Sequence, residues 1–75
     1  MEITLAELMP GKTGTVVRIM GGFGFRRRVE GMGIREGTRV KKISSQPFCG
    51  PVIVEVNRSC IALGRGIASR IIVEV

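Results

Sequence analysis

The chain has 75 residues, 44% of them hydrophobic, and its 12 lysines and arginines against six glutamates give a formal net charge of +6. A chain of this length forms one small domain, residues 1–75, which buries only about 60% of the surface exposed by its unfolded form. The sequence contains no histidine, aspartate or tyrosine, which excludes histidine-based acid–base catalysis and the Ser-His-Asp and Cys-His catalytic groups. We therefore predict that the protein is not an enzyme and uses neither a cofactor nor a small-molecule substrate.

The lengths of the apolar runs and the number of cysteines indicate the cellular compartment of the protein. No run approaches the roughly 20 residues that a membrane-spanning helix needs, and the amino terminus lacks the pattern of a secretory signal. We therefore expect a cytoplasmic protein in which Cys49 and Cys60 are free thiols. A closed zinc site needs four Cys or His ligands, and the oxygen donors Glu30, Glu36 and Glu55 are isolated, so we predict no metal site.

The positive charge is concentrated in one segment. Residues 26–42 hold seven cations and two glutamates, a net +5, whereas the other residues carry five cations and four glutamates, a net +1. Such a segment fits a phosphate, an acidic protein surface or an anionic leaflet, and it equally fits a solvated face that keeps a small apolar protein in solution. The predicted partner-binding residues are its seven cations: Arg26, Arg27, Arg28, Arg35, Arg39, Lys41 and Lys42.

The first predicted elements are a short helix and a strand. Thr4 followed by Glu7 is the pattern of a capping box, which predicts one or two helical turns that end at Pro10. The β-branched run of residues 15–20, TVVRIM, predicts a half-buried strand with Val17 on its inner face.

An amphipathic helix follows that strand. Phe25, Val29 and Met32 recur at i, i+4 and i+7, which predicts a helix of two to three turns whose apolar stripe faces the core. Gly33 supplies the left-handed backbone of a helix C-cap, and Ile34 after it can fold back onto the helix. We also interpret Phe23, Phe48 and Met20 as core residues. The glycines at 21, 22 and 24 fit either an anion-binding nest or a plain turn from strand to helix, and the turn is the favoured interpretation.

The rest of the chain predicts four more strands. Residues 38–43, TRVKKI, alternate imperfectly, and a bulge near Lys41 or Lys42 would bring Val40 and Ile43 to the same side. Strands are then predicted in VIVEV, CIAL and IIVEV, with a hairpin turn at residues 57–59 and a single helical turn in GRGIASR. The predicted structural turn residues are Gly33, Gly37, Pro47, Gly50 and Pro51. Five short strands with an inserted helix predict a small closed β-barrel, since closure removes exposed strand edges.

The order of these segments resembles a known family. TLAELMPGKTGTVVRI, RRRVEGMGIREGTRV, PFCGPVIVEV and IALGRGIASRIIVEV together resemble the ferrous iron transport protein A family, FeoA, over essentially the whole chain. The resemblance implies a mainly β, five-stranded SH3-like barrel with a small helical insertion. It also implies a cytoplasmic accessory protein of the membrane ferrous transporter FeoB, which carries a GTP-binding domain. The sequence departs from the family pattern at residues 29–30 and at Gly64 and Gly66.

Three functions remain open on the sequence alone. The first is regulation of ferrous iron uptake by contact with FeoB, and the alternative is a basic SH3-like barrel that binds nucleic acid through residues 26–42, or a repressor-type regulatory domain. A protein-binding domain should show a patch that mixes exposed apolar residues with arginines. A nucleic-acid-binding domain should show a continuous basic stripe.

Overall fold

The computed structural model describes residues 1–45 and 50–75, which form six strands and two short helices. The strands are β1 (Glu2–Thr4), β2 (Thr13–Ile19), β3 (Arg39–Ser45), β4 (Val52–Val56), β5 (Ser59–Leu63) and β6 (Ile71–Glu74), and the helices are α1 (Phe23–Gly31) and α2 (Arg65–Ala68). The five predicted strands and the inserted helix are confirmed, and β1 is an additional strand. None of the helices in the described ranges is long and apolar enough to cross a membrane.

The strands form one antiparallel sheet in the order β1-β6-β2-β3-β4-β5. The mainly β class with a helical insertion is therefore as predicted. Within residues 1–45 and 50–75, however, no ladder joins the two edge strands, β1 and β5. Complete closure of the barrel by strand pairing was predicted and is not seen there.

The capping box is present without a helix. The backbone N–H of Thr4 donates to Glu7 Oε1 at 2.9 Å, and the backbone N–H of Glu7 donates to Thr4 Oγ1 at 3.1 Å. These bonds hold a turn rather than the predicted helix, because the preceding residues pair with β6 and the N–H of Leu5 donates to the Ile71 carbonyl at 2.8 Å. The backbone N–H of Thr4 lowers the pKa of the Glu7 carboxyl by donating to it, and the Thr4 side chain lowers it further.

Both long strands of the sheet contain a bulge that resets which side chains face inward. In β2 the register shifts between Val16 and Arg18, so that Val16 is buried and the predicted inner residue, Val17, is only half-buried. In β3 the register shifts between Lys42 and Ser44. The bulge predicted in this strand exists, but it follows Lys42, so Val40 and Lys42 keep their alternation and are both buried while Ile43 is exposed, the reverse of the expectation.

The core is formed mainly by side chains of the strands, with contributions from both helices and from the turns after β1 and α1. Among the described residues it consists of fourteen buried apolar side chains: Leu5, Leu8, Val16, Ile19, Val29, Ile34, Val40, Val52, Val54, Val56, Leu63, Ala68, Ile71 and Val73. Phe25 and Met32 pack against this core from α1, as the helical spacing predicts. Phe23 and Met20, which were predicted to be in the core, are 77% and 53% exposed.

Helix α1 ends in the predicted left-handed turn. Gly33 has a φ of +92°, its N–H donates to the Glu30 carbonyl at 2.9 Å, and the N–H of Ile34 donates to the Val29 carbonyl at 3.4 Å. This pair of hydrogen bonds is a Schellman motif, and the complete burial of Ile34 supplies the apolar contact that accompanies it.

The other predicted turns lie at element boundaries. Gly37 has a φ of +93° just before β3, and Gly50 and Pro51 lead into β4. Pro47 and Phe48 lie outside the described residues.

Candidate docking surface

Helix α1 presents its arginines to solvent because its apolar stripe is committed to the core. Val29 is fully buried, and Phe25 is half-buried with the Arg70 guanidinium 5.1 Å from the centre of its ring. The three arginines at 26, 27 and 28 are all exposed, as the helical spacing predicts. Arg28 lies in the last turn, where a cation interacts favourably with the helix dipole.

An exposed aromatic ring accompanies these arginines. The Arg27 guanidinium lies 5.6 Å from the centre of the Phe23 ring, one helical turn away along α1. Arg26 Nη2 lies 3.4 Å from Glu36 Oε2, an exposed ion pair. A shallow concavity of about 360 Å³, which we call the α1 patch, is lined by Gly21, Phe23, Arg26, Arg27 and Glu30. The α1 patch thus combines an apolar ring with two arginines.

The glycines before α1 serve the turn. Gly21 has a φ of +153°, and a Cβ atom added there would lie 2.6 Å from Phe25 Cδ2, so a side chain would collide with the ring. Gly22 occupies the N-cap position, where no side chain caps the helix. These contacts support the interpretation of this segment as a turn from strand to helix.

A second group of cations lies on the sheet. Arg39 and Lys41 are exposed, since they alternate along β3 with the buried Val40 and Lys42. A concavity of about 310 Å³, which we call the β3 cleft, is lined by Thr13, Arg39, Val40, Lys41, Glu55, Asn57 and Arg58. Arg58 was not among the predicted partner-binding residues because it lies outside the basic segment. The predicted hairpin turn at residues 57–59 is the sequence feature from which the position of Arg58 at this cleft could have been predicted.

Lys42 does not belong to any docking surface, which corrects its prediction as a partner-binding residue. Its side chain is 1% exposed, and its Nζ donates to the Leu5 carbonyl at 3.1 Å and to the Ala6 carbonyl at 2.8 Å. Burial lowers the pKa of the Lys42 amine, and the positive charge of Arg65 lowers it further. The register of β3 places this lysine on the core side, where it ties the turn after β1 to the sheet.

Arg35 belongs to neither concavity. It is exposed in the turn between α1 and β3, where its backbone N–H donates to Thr38 Oγ1 at 3.1 Å and its carbonyl accepts from the Thr38 N–H at 3.0 Å. The seven predicted cations therefore lie in different places. Arg26 and Arg27 line the α1 patch and Arg28 lies beside it. Arg35 lies in the turn before β3, Arg39 and Lys41 line the β3 cleft, and Lys42 lies in the core.

The described residues contain no group of three or more His, Cys, Asp or Glu side chains that could hold a metal ion. Cys60 is an exposed free thiol, and Cys49 lies outside the described residues. The absence of a metal site remains a prediction.

Comparison with known proteins identifies the family. The family model described as "FeoA domain" matches residues 3–75. The chain is 41% identical over 70 residues to the putative Fe(2+) transport protein A of Methanocaldococcus jannaschii, with 93% of this chain and 83% of that protein covered.

Solved structures agree with this match. A crystal structure of an iron uptake regulatory protein, FeoA, superposes with a TM-score of 0.92 at 36% identity and covers 99% of this chain and 97% of its own. FeoA of Stenotrophomonas maltophilia in complex with zinc, described as a prokaryotic SH3 domain protein, superposes with a TM-score of 0.81 at 25% identity, covering 96% and 89%. FeoA proteins are Fe(2+) transport accessory proteins and not an enzyme family. The chain belongs to the FeoA family and has its SH3-like fold.

Proposed function

We propose that this protein is a cytoplasmic regulator of ferrous iron uptake that acts by binding the cytoplasmic part of the membrane transporter FeoB. The family supports a role in ferrous iron transport, and the sequence offers no histidine- or aspartate-based catalytic group. A domain of this kind acts on its partner through a difference in affinity for two partner states. Its effect therefore depends on a docking surface.

The α1 patch is the observation that carries this proposal. Phe23 is 77% exposed, and the guanidinium of Arg27 stacks near its ring. Exposed aromatic rings and arginines are the residue types that most often dominate the binding energy of protein interfaces. The stacking also restricts both side chains before binding, which reduces the entropy lost in forming a complex.

The arrangement of the cations favours a protein partner over nucleic acid. Lys42 is withdrawn into the core, and Arg26 is paired with Glu36. The α1 patch itself includes a second glutamate, Glu30. Acidic groups between the cations suit a partner of mixed charge better than a uniformly negative phosphate backbone.

Binding to the purified cytoplasmic domain of FeoB from the same organism tests the proposal. Burying the Phe23 ring should contribute about 1.5–3 kcal/mol, so Phe23→Ala should weaken binding by about 10- to 100-fold. Met9→Ala is the matched control, because Met9 is also an exposed apolar residue and lies outside the α1 patch. Both variants should keep the wild-type unfolding midpoint.

Salt separates the two candidate functions. Binding to FeoB should survive a change from low to physiological salt and should fall when the arginines at 26, 27 and 28 are changed together to glutamate. Duplex DNA held by five phosphate contacts would instead show a slope of log affinity against log salt of about −4.5. Tight binding to RNA or DNA at physiological salt, without detectable binding to FeoB, would overturn the proposal.

A further inference from the structure

The β3 cleft gathers cations from two separate parts of the chain. Arg39 and Lys41 come from β3, Arg58 comes from the turn between β4 and β5, and Glu55 is the one acidic residue in the lining. The lining therefore carries three positive charges against one negative charge. We infer that the β3 cleft is a binding site for a phosphate group.

The sheet fixes the positions of the groups in this cleft. Lys41 pairs with Thr13 on β2 and with Glu55 on β4, so these three residues form a row across three strands. Directly opposed side chains in an antiparallel sheet have their Cβ atoms about 4.5–5.5 Å apart. Among the described residues, none of the ion pairs within 4.0 Å involves this row, Arg39 or Arg58. The three cations remain available to a ligand.

The backbone conformation of Arg58 supports a functional role for its side chain. Val56 pairs with Ser59, so Asn57 and Arg58 form a two-residue hairpin loop, with φ values of 51° and 68°. Glycine is the preferred residue at the second of these positions, because a side chain is unfavourable at positive φ. An arginine held there despite this preference points to a role for its guanidinium at the cleft.

The chemistry of the lining fits a phosphate better than a carboxylate. Arginines bind phosphate oxygens in bidentate pairs, and the Thr13 hydroxyl and Asn57 amide add neutral donors to the same cleft. The three cations outweigh Glu55, so the lining attracts a phosphate monoester, which carries about −1.5 to −2 at pH 7, more strongly than a ligand of one negative charge. The phosphate can belong to a soluble compound or to a lipid headgroup.

Titration with inorganic pyrophosphate tests the soluble source. We expect saturable binding by calorimetry and amide chemical-shift changes confined to the cleft in NMR spectra. Arg58→Gly keeps the turn and removes the guanidinium, and we expect it to weaken binding by about tenfold or more, the effect of one lost charge-assisted hydrogen bond. Arg18→Gln is the matched control, since Arg18 is an exposed arginine outside the lining.

Vesicles test the membrane source. Vesicles of phosphatidylcholine with phosphatidic acid present a phosphate monoester on a surface, whereas vesicles of phosphatidylcholine alone present only a zwitterionic phosphodiester and serve as the control. Co-sedimentation that needs phosphatidic acid and Arg58, without saturable pyrophosphate binding, assigns the site to a headgroup. Pyrophosphate binding without co-sedimentation assigns it to a soluble phosphate, and both together show that the cleft accepts either source.

The inference fails if neither probe binds, or if Arg18→Gln weakens binding as much as Arg58→Gly. It is independent of the proposed docking to FeoB, because the two surfaces share no residue. Phe23→Ala should leave phosphate binding unchanged, and Arg58→Gly should leave the dependence of FeoB binding on Phe23 unchanged. The failure of one proposal is therefore distinguishable from the failure of the other.

Discussion

The two lysines at 41 and 42 are adjacent in sequence and opposite in environment, which allows the same substitution to be compared at both positions. Lys41 is exposed in the β3 cleft. Lys42 is 1% exposed, and its amine donates to the carbonyls of Leu5 and Ala6. We expect Lys42→Ala to destabilise the fold severely and Lys41→Ala to leave it nearly unchanged.

The magnitude follows from what each substitution removes. Lys42→Ala deletes three buried methylenes, about 0.8 kcal/mol each, and leaves the buried Leu5 carbonyl without this donor, which costs about 1–3 kcal/mol. Removal of a desolvated charge offsets part of this loss. A net loss of about 2–4 kcal/mol results, from a total free energy of unfolding of about 4–11 kcal/mol for a chain of this length. Lys41→Ala should change that free energy by no more than about 0.5 kcal/mol.

Urea denaturation followed by circular dichroism measures the difference. With a slope of about 1 kcal/mol per molar urea for a small domain, the midpoint of Lys42→Ala should lie about 2–4 M below that of Lys41→Ala. Lys42→Met retains most of the aliphatic stem and removes the donor, so it should fall between the two. Coincident midpoints for Lys41→Ala and Lys42→Ala would refute the burial of Lys42 and with it the register of β3.

Three further predictions concern pH, backbone and metal. Burial lowers the pKa of Lys42, so the folded state releases this proton at a lower pH than the unfolded chain does. The free energy of unfolding of the wild type should therefore rise from neutral pH towards about pH 10 relative to that of Lys42→Met. Urea denaturation of both proteins at each pH measures this difference. Gly33→Val should lower the free energy of unfolding by about 1 kcal/mol or more, measured by the same method, because the φ of Gly33 is +92°. Gly31→Ala is the control and should not destabilise the fold, because no atom lies within 4 Å of the added Cβ. Equal urea midpoints for the two variants would contradict the C-cap. Thermal melts with excess chelator and with added ferrous iron should superimpose, and a shift that disappears when Cys49 and Cys60 are changed to serine would reveal a thiolate site.

The parts of the fold that could be predicted are those set by neighbours in sequence. The spacing of Phe25, Val29 and Met32 suffices to predict α1, because one helix face must be buried. Its end is equally local, since Gly33 and Ile34 satisfy carbonyls of the preceding turn. The hairpin at residues 57–58 depends only on the two strands beside it.

The parts that could not be predicted depend on pairing between distant residues. Glu2–Thr4 became a strand because β6, about 70 residues later, pairs with it. The same local pattern of Thr4 and Glu7 fits a helix start and the observed turn equally well. Alternation along β3 places Lys42 on the inner face with Val40, but the burial of a lysine there also requires the Leu5 and Ala6 carbonyls that accept from its amine. Nothing in the residues next to Lys42 indicates that the turn after β1 brings these carbonyls to it.

The predicted single basic face is divided in the structure among several surfaces. A run of cations along the chain suggested one basic face, but a strand sends successive side chains to opposite sides and a helix spreads them around its axis. Only Arg26 and Arg27 share a concavity with Phe23, a residue that the rarity of aromatics in the sequence had assigned to the core. The exposure of that ring follows from the direction of the helix, which composition does not encode.

The geometry of β2 sets how far the two proposed surfaces can influence each other. Thr13, at its start, lines the β3 cleft, and Ile19, at its end, is two residues before Gly21 of the α1 patch. Six steps of about 3.3 Å separate these ends by roughly 20 Å. This exceeds the screening length of about 8 Å at physiological ionic strength, so a charge bound in one surface hardly alters the electrostatic potential at the other. Any coupling between phosphate binding and docking must then pass through the packed core or through a partner that contacts both surfaces, and in the isolated domain the two should bind independently.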